Sequence, residues 1–302
     1  MPSWTSIRTE TSAAGSTHDV IRRQYIKRLA DYTGRNVIVY YSGWLEKATL
    51  QAQGLQGFEV NDSDKNGFMA TIHEMDRDKG LDLLLHTPGG NVAATESLVD
   101  YLKAMFQNVR VIVPQLAMSA GTMIALSASS IVMGKHSSLG PIDPQIGGVA
   151  AHGIVEEFQR AHREVREDPG TIPIWQPIIA KYSPTLIGEC EKAISWANEM
   201  VKRWLMEGMF SGEDDPGQAA DRVISELASH ALTLSHDRHI SLANAQRLGL
   251  NVEELEGDPE LQDCVLSVHH SCIQTLAETP AFKIIENQNG IASIMAVNLR
   301  PA

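Results

Sequence analysis

Cysteine is scarce in this chain of 302 residues, which contains only Cys190, Cys264 and Cys272. Their number is odd, and their spacing is unlike that of metal ligands. This pattern excludes the disulfide framework that holds many small secreted proteins together. We therefore expect buried or free thiols in a reducing compartment.

Basic residues are also in the minority. Lys and Arg number 25 against 37 Asp and Glu, which makes the formal net charge -12 and the sequence pI about 5.4. This balance argues against a nucleic-acid-binding surface as the main function, because phosphate contacts require clustered Lys and Arg. A locally basic segment does exist, but we interpret it as the polar side of a helix; it consists of Arg22, Arg23, Lys27 and Arg28.

Two further signals are missing from the sequence. The N-terminus lacks the apolar core of a signal peptide, and the absence of a GxxxxGKS or GxxxxGKT loop argues against ATP hydrolysis. One uncharged run, 111–133, has 23 residues and is long enough to cross a bilayer. Because it contains Pro114, Gly121 and four serines, we interpret it as a buried strand, a turn and a buried helix. The protein is expected to be cytoplasmic.

The chain does contain a regular alternation of strand and helix patterns. After a loose arm at 1–16, the pattern predicts strands at 36–42, 81–87, 109–114 and 130–134 and helices at 17–32, 66–79, 92–108 and 120–130. Short turns between them indicate a parallel α/β core with right-handed crossovers. Beyond this core we predict helices at 153–167, 184–210, 218–232 and 241–249 and a Pro-rich loop at 168–177.

Two short segments carry the clearest chemistry. The sequences HTPGGN (86–91) and AMSAG (117–121) each lie where a predicted parallel strand gives way to a helix. Open α/β sheets bind their ligands at this edge. The two transitions belong to consecutive strand–helix units, so they can be neighbours in space.

Ser119 is the candidate nucleophile. It lies at the start of a predicted helix, where free N–H groups and the helix dipole favour developing negative charge. Gly89 and Gly90 have no side chain that would obstruct a substrate carbonyl. One amide from this turn and one from Ala120 would form an oxyanion hole. The alternative for either motif alone is a tight turn with a helix cap.

A serine nucleophile needs a general base, and the sequence leaves several candidates open. His136 follows Ser119 closely, Asp143 is either a turn former or a charge partner, and Lys181 precedes the long helix. A desolvated lysine loses its proton more easily and can serve as the base. The histidines at 236, 239, 269 and 270 have no partner at ligand spacing, so no metal is expected.

These motifs resemble those of the Clp protease/crotonase superfamily. HTPGGNV (86–92) looks like the SPGG turn of the Clp proteolytic subunit, and AMSAGTMIAL (117–126) looks like the nucleophile segment of that subunit and of signal peptide peptidase A. SSLGPIDPQIGG (137–148) is similar to the segment that follows in both. The chain is most similar to the serine dehydrogenase proteinase family. The resemblance is dense over 80–150 and extends over about 36–250.

The resemblance implies a Clp protease/crotonase-like α/β fold, with repeated ββα and βαβ units, a parallel sheet flanked by helices, and a helical C-terminal elaboration. It also implies a serine endopeptidase with Ser119 as nucleophile and oxyanion amides from Gly89 or Gly90 and from Ala120. Asp143 falls where the Clp subunit has its catalytic histidine, which puts a triad of that kind in doubt. Lys181 matches by context the lysine of the Ser-Lys dyad in the peptidase A branch. Ser138 would orient that lysine, and His136 and Asp143 would be accessory residues.

We predict an N-terminal arm and helix at 1–35, a peptidase domain at 36–250 and a C-terminal extension at 251–302. The expected partners are a peptide or unfolded protein substrate and further copies of the chain. Relatives of this fold form trimer-based or ring oligomers, and the apolar stripe at 185–210 could cover either the sheet or a neighbouring subunit. A crotonase-type acyl-CoA enzyme and a catalytically silent oligomeric scaffold stay open as alternatives. No cofactor, nucleic acid or membrane span is expected.

Overall fold

The computed structural model describes residues 18–228 and 238–297. The predicted arm at 1–16, the end of the helix predicted at 218–232, and His236 with Asp237 lie outside the described residues. The strands, in chain order, are β1 (Asn36–Ser42), β2 (Leu81–His86), β3 (Val109–Val113), β4 (Leu116–Ala117), β5 (Ser130–Met133), β6 (Ser138–Leu139), β7 (Gln145–Ile146), β8 (Val149–Ala150), β9 (Ile240–Ser241), β10 (Val252–Glu254), β11 (Ala281–Asn287) and β12 (Ala292–Ala296).

The α-helices alternate with these strands in the first half of the chain and predominate afterwards. They are α1 (His18–Thr33), α2 (Ala48–Ala52), α3 (Asp64–Ile72), α4 (Val92–Met105), α5 (Ala120–Leu126), α6 (Ala151–Glu167), α7 (Ile172–Ile179), α8 (Leu186–Glu207), α9 (Pro216–Ala228), α10 (Leu242–Arg247) and α11 (Pro259–Glu278). The predicted helix at 66–79 thus begins and ends earlier, at Asp64 and Ile72.

A seven-stranded sheet forms the centre, in the order β10-β5-β3-β2-β1-β11-β12. The strands from β10 to β1 run parallel, β11 is antiparallel to β1, and β12 is antiparallel to β11. Every residue of β1 and β2 is buried, as expected for parallel strands that are covered on both faces. The predicted fold class, a mostly parallel sheet flanked by helices, is confirmed.

The leucines of strand β2 belong to two hydrophobic clusters, one on each face of the sheet. Leu83 and Leu85 belong to a core cluster that also contains residues of α4, α5, α8 and α9. Leu84 belongs to a second cluster, with residues of α1 and α11. Successive side chains of a strand point to opposite faces, so a continuous run of leucines is buried on both.

The uncharged run at 111–133 lies inside this structure. It forms the end of β3, then β4, the buried helix α5 and all of β5. The buried strand, turn and buried helix predicted from its proline, glycine and serines are therefore present. Among the described residues, no helix is long and apolar enough to cross a membrane.

The small sheet β4-β6-β9 positions the functional segments. Ala117, at the end of β4, also forms a parallel bridge with Thr87, just after β2. The amide of Thr87 donates to the carbonyl of Leu116 (3.1 Å), and the amide of Met118 donates to the carbonyl of Thr87 (3.1 Å). The segments that follow β2 and β4 therefore run side by side.

The prediction of a Pro-rich loop at 168–177 is wrong, because α7 begins at Ile172 within it. Pro173 lies in the first turn of this helix, where its missing N–H would have no intrahelical partner in any case. The predicted long helix corresponds to α8, and its apolar stripe packs largely within the chain. Ala197, Val201 and Trp204 are buried in the core, so this part of the stripe covers its own subunit.

The C-terminal segment contributes to the same central sheet. β10 pairs with β5 at one edge, and β11 pairs with β1 on the other side. Helix α11 packs against α1, and both contribute to the second core cluster. The division at 35/36 and 250/251 stays a prediction of domain boundaries, but the sheet and its covering helices use residues from all three segments.

Candidate active site

Ser119 lies between β4 and α5 in an unusual backbone conformation. Its φ and ψ angles are +49° and -113°, a region that costs a non-glycine residue about 1–3 kcal/mol. Hydrogen bonds on both sides hold this conformation: Gly121 N donates to the carbonyl of Met118 (2.7 Å), and the Thr122 hydroxyl donates to the carbonyl of Ala117 (2.7 Å). Ser119 is half-buried, and such a strained turn before a helix is a common setting for a nucleophile.

The turn after β2, residues 87–90, contacts the Ser119 segment directly; we call it the glycine turn. A Cβ added to Gly89 would lie 2.6 Å from the Cβ of Ser119 and 3.0 Å from the amide nitrogen of Ala120. A Cβ added to Gly90 would lie 2.3 Å from both the nitrogen and the oxygen of Val60. The glycine turn is therefore packed between the Ser119 segment on one side and Val60 on the other.

Two backbone amides at this contact have no internal acceptor. The amide of Gly89 donates to the Thr87 hydroxyl (3.2 Å), so it is already occupied. Within the described residues, no acceptor is found for the amide of Gly90 or for that of Ala120. Of the two glycines that the sequence left open, Gly90 is thus the one whose amide is unoccupied among the described residues.

Ser119 and the glycine turn line a common cleft of about 630 Å³. Its walls are formed by the glycine turn and the start of α4, by Ser119, and by residues from the segments 51–59 and 144–148 and from helix α8. Glu59 is the one charged side chain among the described residues that line the cleft. The uncharged lining residues are Gln51, Pro88, Gly89, Gly90, Asn91, Val92, Ala93, Ser119, Pro144, Gln145, Gly148, Ala193 and Trp196.

The structure does not bring the base candidates from the sequence to the Ser119 hydroxyl. Lys181 lies on an exposed turn after α7, and His136 is exposed, with Nδ1 3.8 Å from a carboxylate oxygen of Glu256. Ser138 is half-buried in β6. None of these three lines the cleft, and within the described residues no nitrogen base is hydrogen-bonded to Ser119.

Asp143 occupies a different position from these three. Its carboxylate is buried and lies next to cleft residue Pro144. One carboxylate oxygen is 2.5 Å from Nδ1 of His152, a residue in the first turn of α6 that the sequence analysis missed. Its signal was a histidine near the start of a helix, nine positions after a candidate acidic residue. The other oxygen of Asp143 has no partner among the described residues.

His86 lies behind the glycine turn, on the other face of the sheet. Its ring is fully buried, 4.4 Å from the ring of Trp44 and 5.7 Å from that of His269, centroid to centroid. Burial lowers the pKa of His86 to about 3, and the nearby backbone of Leu116 opposes this shift. His269 is bonded through Nδ1 to the hydroxyl of Tyr41 (3.2 Å). Within 18–228 and 238–297, no group of three or more ligand-type side chains could hold a metal ion.

The chain is similar to two uncharacterised proteins of Methanocaldococcus jannaschii, MJ0137 and MJ1495. It is 32% identical to the first over 190 residues, 63% of this chain and 59% of that relative, and 30% identical to the second over 189 residues, 63% of this chain and 57% of that relative. The matched region thus spans less than two thirds of either relative.

Among solved structures, the chain is similar to two mutants of a membrane-bound stomatin-specific protease called 1510-N. The first has a TM-score of 0.39 and 19% identity, with 64% of this chain and 74% of that chain covered. The second, in complex with a substrate peptide, has a TM-score of 0.40 and 20% identity, with 64% and 70% covered. Residues 14–261 match the sequence model of the ClpP-like SDH-type serine proteinases. The chain therefore belongs to the family of ClpP-like SDH-type serine proteinases.

Proposed function

We propose that this protein is an endopeptidase that cleaves peptide bonds through an acyl-enzyme on Ser119. The observation that carries the proposal is the contact between Ser119 and the glycine turn. Gly90 and Ser119 line the same cleft, and a Cβ added to Gly89 would lie 2.6 Å from the Cβ of Ser119 and 3.0 Å from the amide nitrogen of Ala120. A serine hydroxyl in the same cleft as unoccupied backbone N–H donors supports acyl transfer, which needs both a nucleophile and donors to the oxyanion.

The reaction follows from these groups. The hydroxyl oxygen of Ser119 attacks the peptide carbonyl while a base accepts its proton, and the carbonyl oxygen becomes an oxyanion. The amides of Gly90 and Ala120 donate hydrogen bonds to that oxygen. The C–N bond then breaks, the base returns its proton to the leaving amine, and water hydrolyses the ester by the same steps.

We propose His152 as the base. Its Nδ1 faces the buried Asp143 carboxylate, which would orient the ring and leave Nε2 to accept the proton. Its helix begins beside the cleft, because the amide of Ala151 donates to the carbonyl of cleft residue Pro144 (2.8 Å). Reaching Ser119 requires an adjustment of the side chain or of the β7–β8 hairpin at 145–150. Lys181 stays the alternative, supplied from its exposed turn.

A homo-oligomer, a cytoplasmic location and a peptide or unfolded protein as substrate stay predictions. The described chain still has exposed apolar side chains that another copy could cover. They include Ile172, Ile174, Ile178 and Tyr182, on α7 and the turn that follows it.

The decisive test is covalent labelling with a fluorophosphonate together with cleavage of an unfolded protein such as casein. We expect the wild type to be labelled at Ser119 and to cleave casein, and Ser119→Ala to do neither. Ser129→Ala is the matched control, because Ser129 is also half-buried but lies outside the cleft. Absence of labelling and cleavage in the wild type would favour a silent scaffold. Acyl-CoA turnover that survives Ser119→Ala would favour a crotonase-type enzyme.

A further inference from the structure

A buried ion pair lies near the glycine turn and is separated from it by Val60. Lys283 of β11 and Asp64 of α3 are 0% and 1% exposed, and Nζ of Lys283 is 2.8 Å from one carboxylate oxygen of Asp64. The hydroxyl of Tyr40, on β1, donates to the other oxygen (2.7 Å). We call these three residues the bracing network. A buried ion pair is a weak source of stability, so its presence here calls for another explanation.

The bracing network holds the backbone on both sides of Val60. Nζ of Lys283 donates to the carbonyl of Glu59 (2.8 Å), and the carboxylate of Asp64 accepts from the amide of Asn61 (3.0 Å). Val60 lies in a loop rather than in a strand of the sheet. Its position therefore depends on these side-chain contacts.

Val60 in turn holds both sides of Gly90. The amide of Val60 donates to the carbonyl of Gly89 (2.7 Å), and the amide of Asn91 donates to the carbonyl of Val60 (2.9 Å). The carbonyl of Gly89 and the N–H of Gly90 belong to one planar trans peptide group and point in opposite directions. With its carbonyl directed at Val60, this peptide directs the N–H of Gly90 away from Val60.

These contacts form a continuous chain from the ammonium group to the oxyanion site. Lys283 bonds to the carbonyl of the peptide that joins Glu59 and Val60, and the N–H of that peptide bonds to the carbonyl of Gly89. The next group is the N–H of Gly90. Hydrogen bonds in series polarise one another inside a protein, so a positive charge at one end makes the last N–H a stronger donor.

We propose that Lys283, paired with Asp64, is a positioning residue of the oxyanion hole that orients and polarises the N–H of Gly90 through two peptide groups. This inference rests on the proposed function, because it assigns the amide of Gly90 to the oxyanion. Lys283 itself does not reach the cleft.

The test removes the pair without leaving an unpaired buried charge, in the double variant Lys283→Met/Asp64→Asn. We expect kcat for a peptide substrate to fall about 10-fold, less than the roughly 10²–10³ that loss of a whole oxyanion donor costs, because the donor is only misdirected. KM should change by less than about 3-fold. Affinity for a peptide aldehyde should fall by a similar factor, because its adduct with Ser119 places an oxygen in the oxyanion hole.

The matched control is Glu286→Gln. Glu286 lies on the same strand, is fully buried, and pairs with Arg22 and Arg23 on the α1 side. Its variant should lose stability but keep kcat. A folded double variant with kcat and aldehyde affinity within about 2-fold of the wild type would overturn the inference. If the double variant does not fold, Asp64→Asn decides by the same criteria.

The wild type and Ser119→Ala are measured in the same assay. If the wild type does not cleave, or if Ser119→Ala retains cleavage, the proposed function fails and the inference fails with it. If Ser119→Ala is inactive and the double variant cleaves like the wild type, the inference alone fails.

Discussion

Gly89 and Ser119 approach each other so closely that a methyl group at position 89 would lie 2.6 Å from the Cβ of Ser119. The φ angle of Gly89 is +103°, in a region that residues with a side chain rarely adopt. Contact and conformation therefore both require glycine at this position. Ser119 and the glycine turn therefore form one structural unit.

Gly89→Ala should move Ser119 and the glycine turn apart. We expect kcat/KM to fall by about 10²–10³, as for the loss of an oxyanion donor, because the added methyl group displaces either Ser119 or the glycine turn. Gly188→Ala is the control, since Gly188 lies in α8 with no atom within 4 Å of its added Cβ. It should keep full activity and be more stable by about 0.5–1 kcal/mol. Measured kinetics and urea unfolding check both expectations, and an active Gly89→Ala enzyme would contradict the first.

The base assignment leads to a second prediction. His152→Ala should lower kcat by about 10²–10⁴, the usual contribution of a general base, and Asp143→Asn should also lower it because the ring loses its orienting carboxylate. Lys181→Met should leave kcat unchanged, since Lys181 is exposed and outside the cleft. The opposite pattern, an inactive Lys181→Met with an active His152→Ala, would assign the base to the lysine instead.

Glu59 should influence substrate preference. It is exposed and is the charged side chain among the described residues that line the cleft, so it favours a Lys or Arg side chain in a bound peptide. We expect Glu59→Gln to lower kcat/KM about 2- to 5-fold for peptides with a basic residue, in line with an exposed ion pair. Peptides that are identical except for a neutral residue serve as the comparison. Equal losses for both peptides would show that Glu59 does not contribute to substrate specificity.

His86 should make the protein sensitive to acid. Its pKa is about 3 when folded, against about 6.5 in an unfolded chain, so the unfolded state binds more protons between these values. The stability that His86 contributes is therefore complete above pH 6.5 and is lost as the pH falls towards 3. Between pH 7 and pH 4.5 we expect a loss of about 2.5 kcal/mol from this group.

Urea unfolding of His86→Leu at the two pH values measures this effect. Leucine cannot titrate, and it replaces a ring whose nitrogens have no hydrogen-bond partner among the described residues. The variant should lose less stability on acidification than the wild type. His162→Gln is the control, because His162 is exposed on α6; its pH dependence should match that of the wild type. Identical acid loss in His86→Leu would contradict the prediction.

Local features of the sequence account for most of the parallel core. The apolar runs and glycine breaks predicted β1, β2, β3 and β5, because such runs suit strands that are buried on both faces. The same local features identified Ser119 and the glycine turn as candidates. Each follows a predicted parallel strand, and parallel strands end at the same edge of a sheet. The Pro-rich segment before α8 was mistaken for a loop because proline in a first helical turn resembles a turn signal.

The sequence by itself determined the residues that needed no distant partner: a serine before a buried helix, and two glycines after a buried strand. Only the tertiary structure decided that Gly90 rather than Gly89 has the unoccupied amide, that Asp143 faces His152, and that Lys283 and Asp64 hold Val60 against the turn. These relations join residues far apart in the chain or depend on the direction of a single peptide group. Hydrophobic periodicity reports which face of an element is buried, and it contains no information about which distant polar group will meet it there.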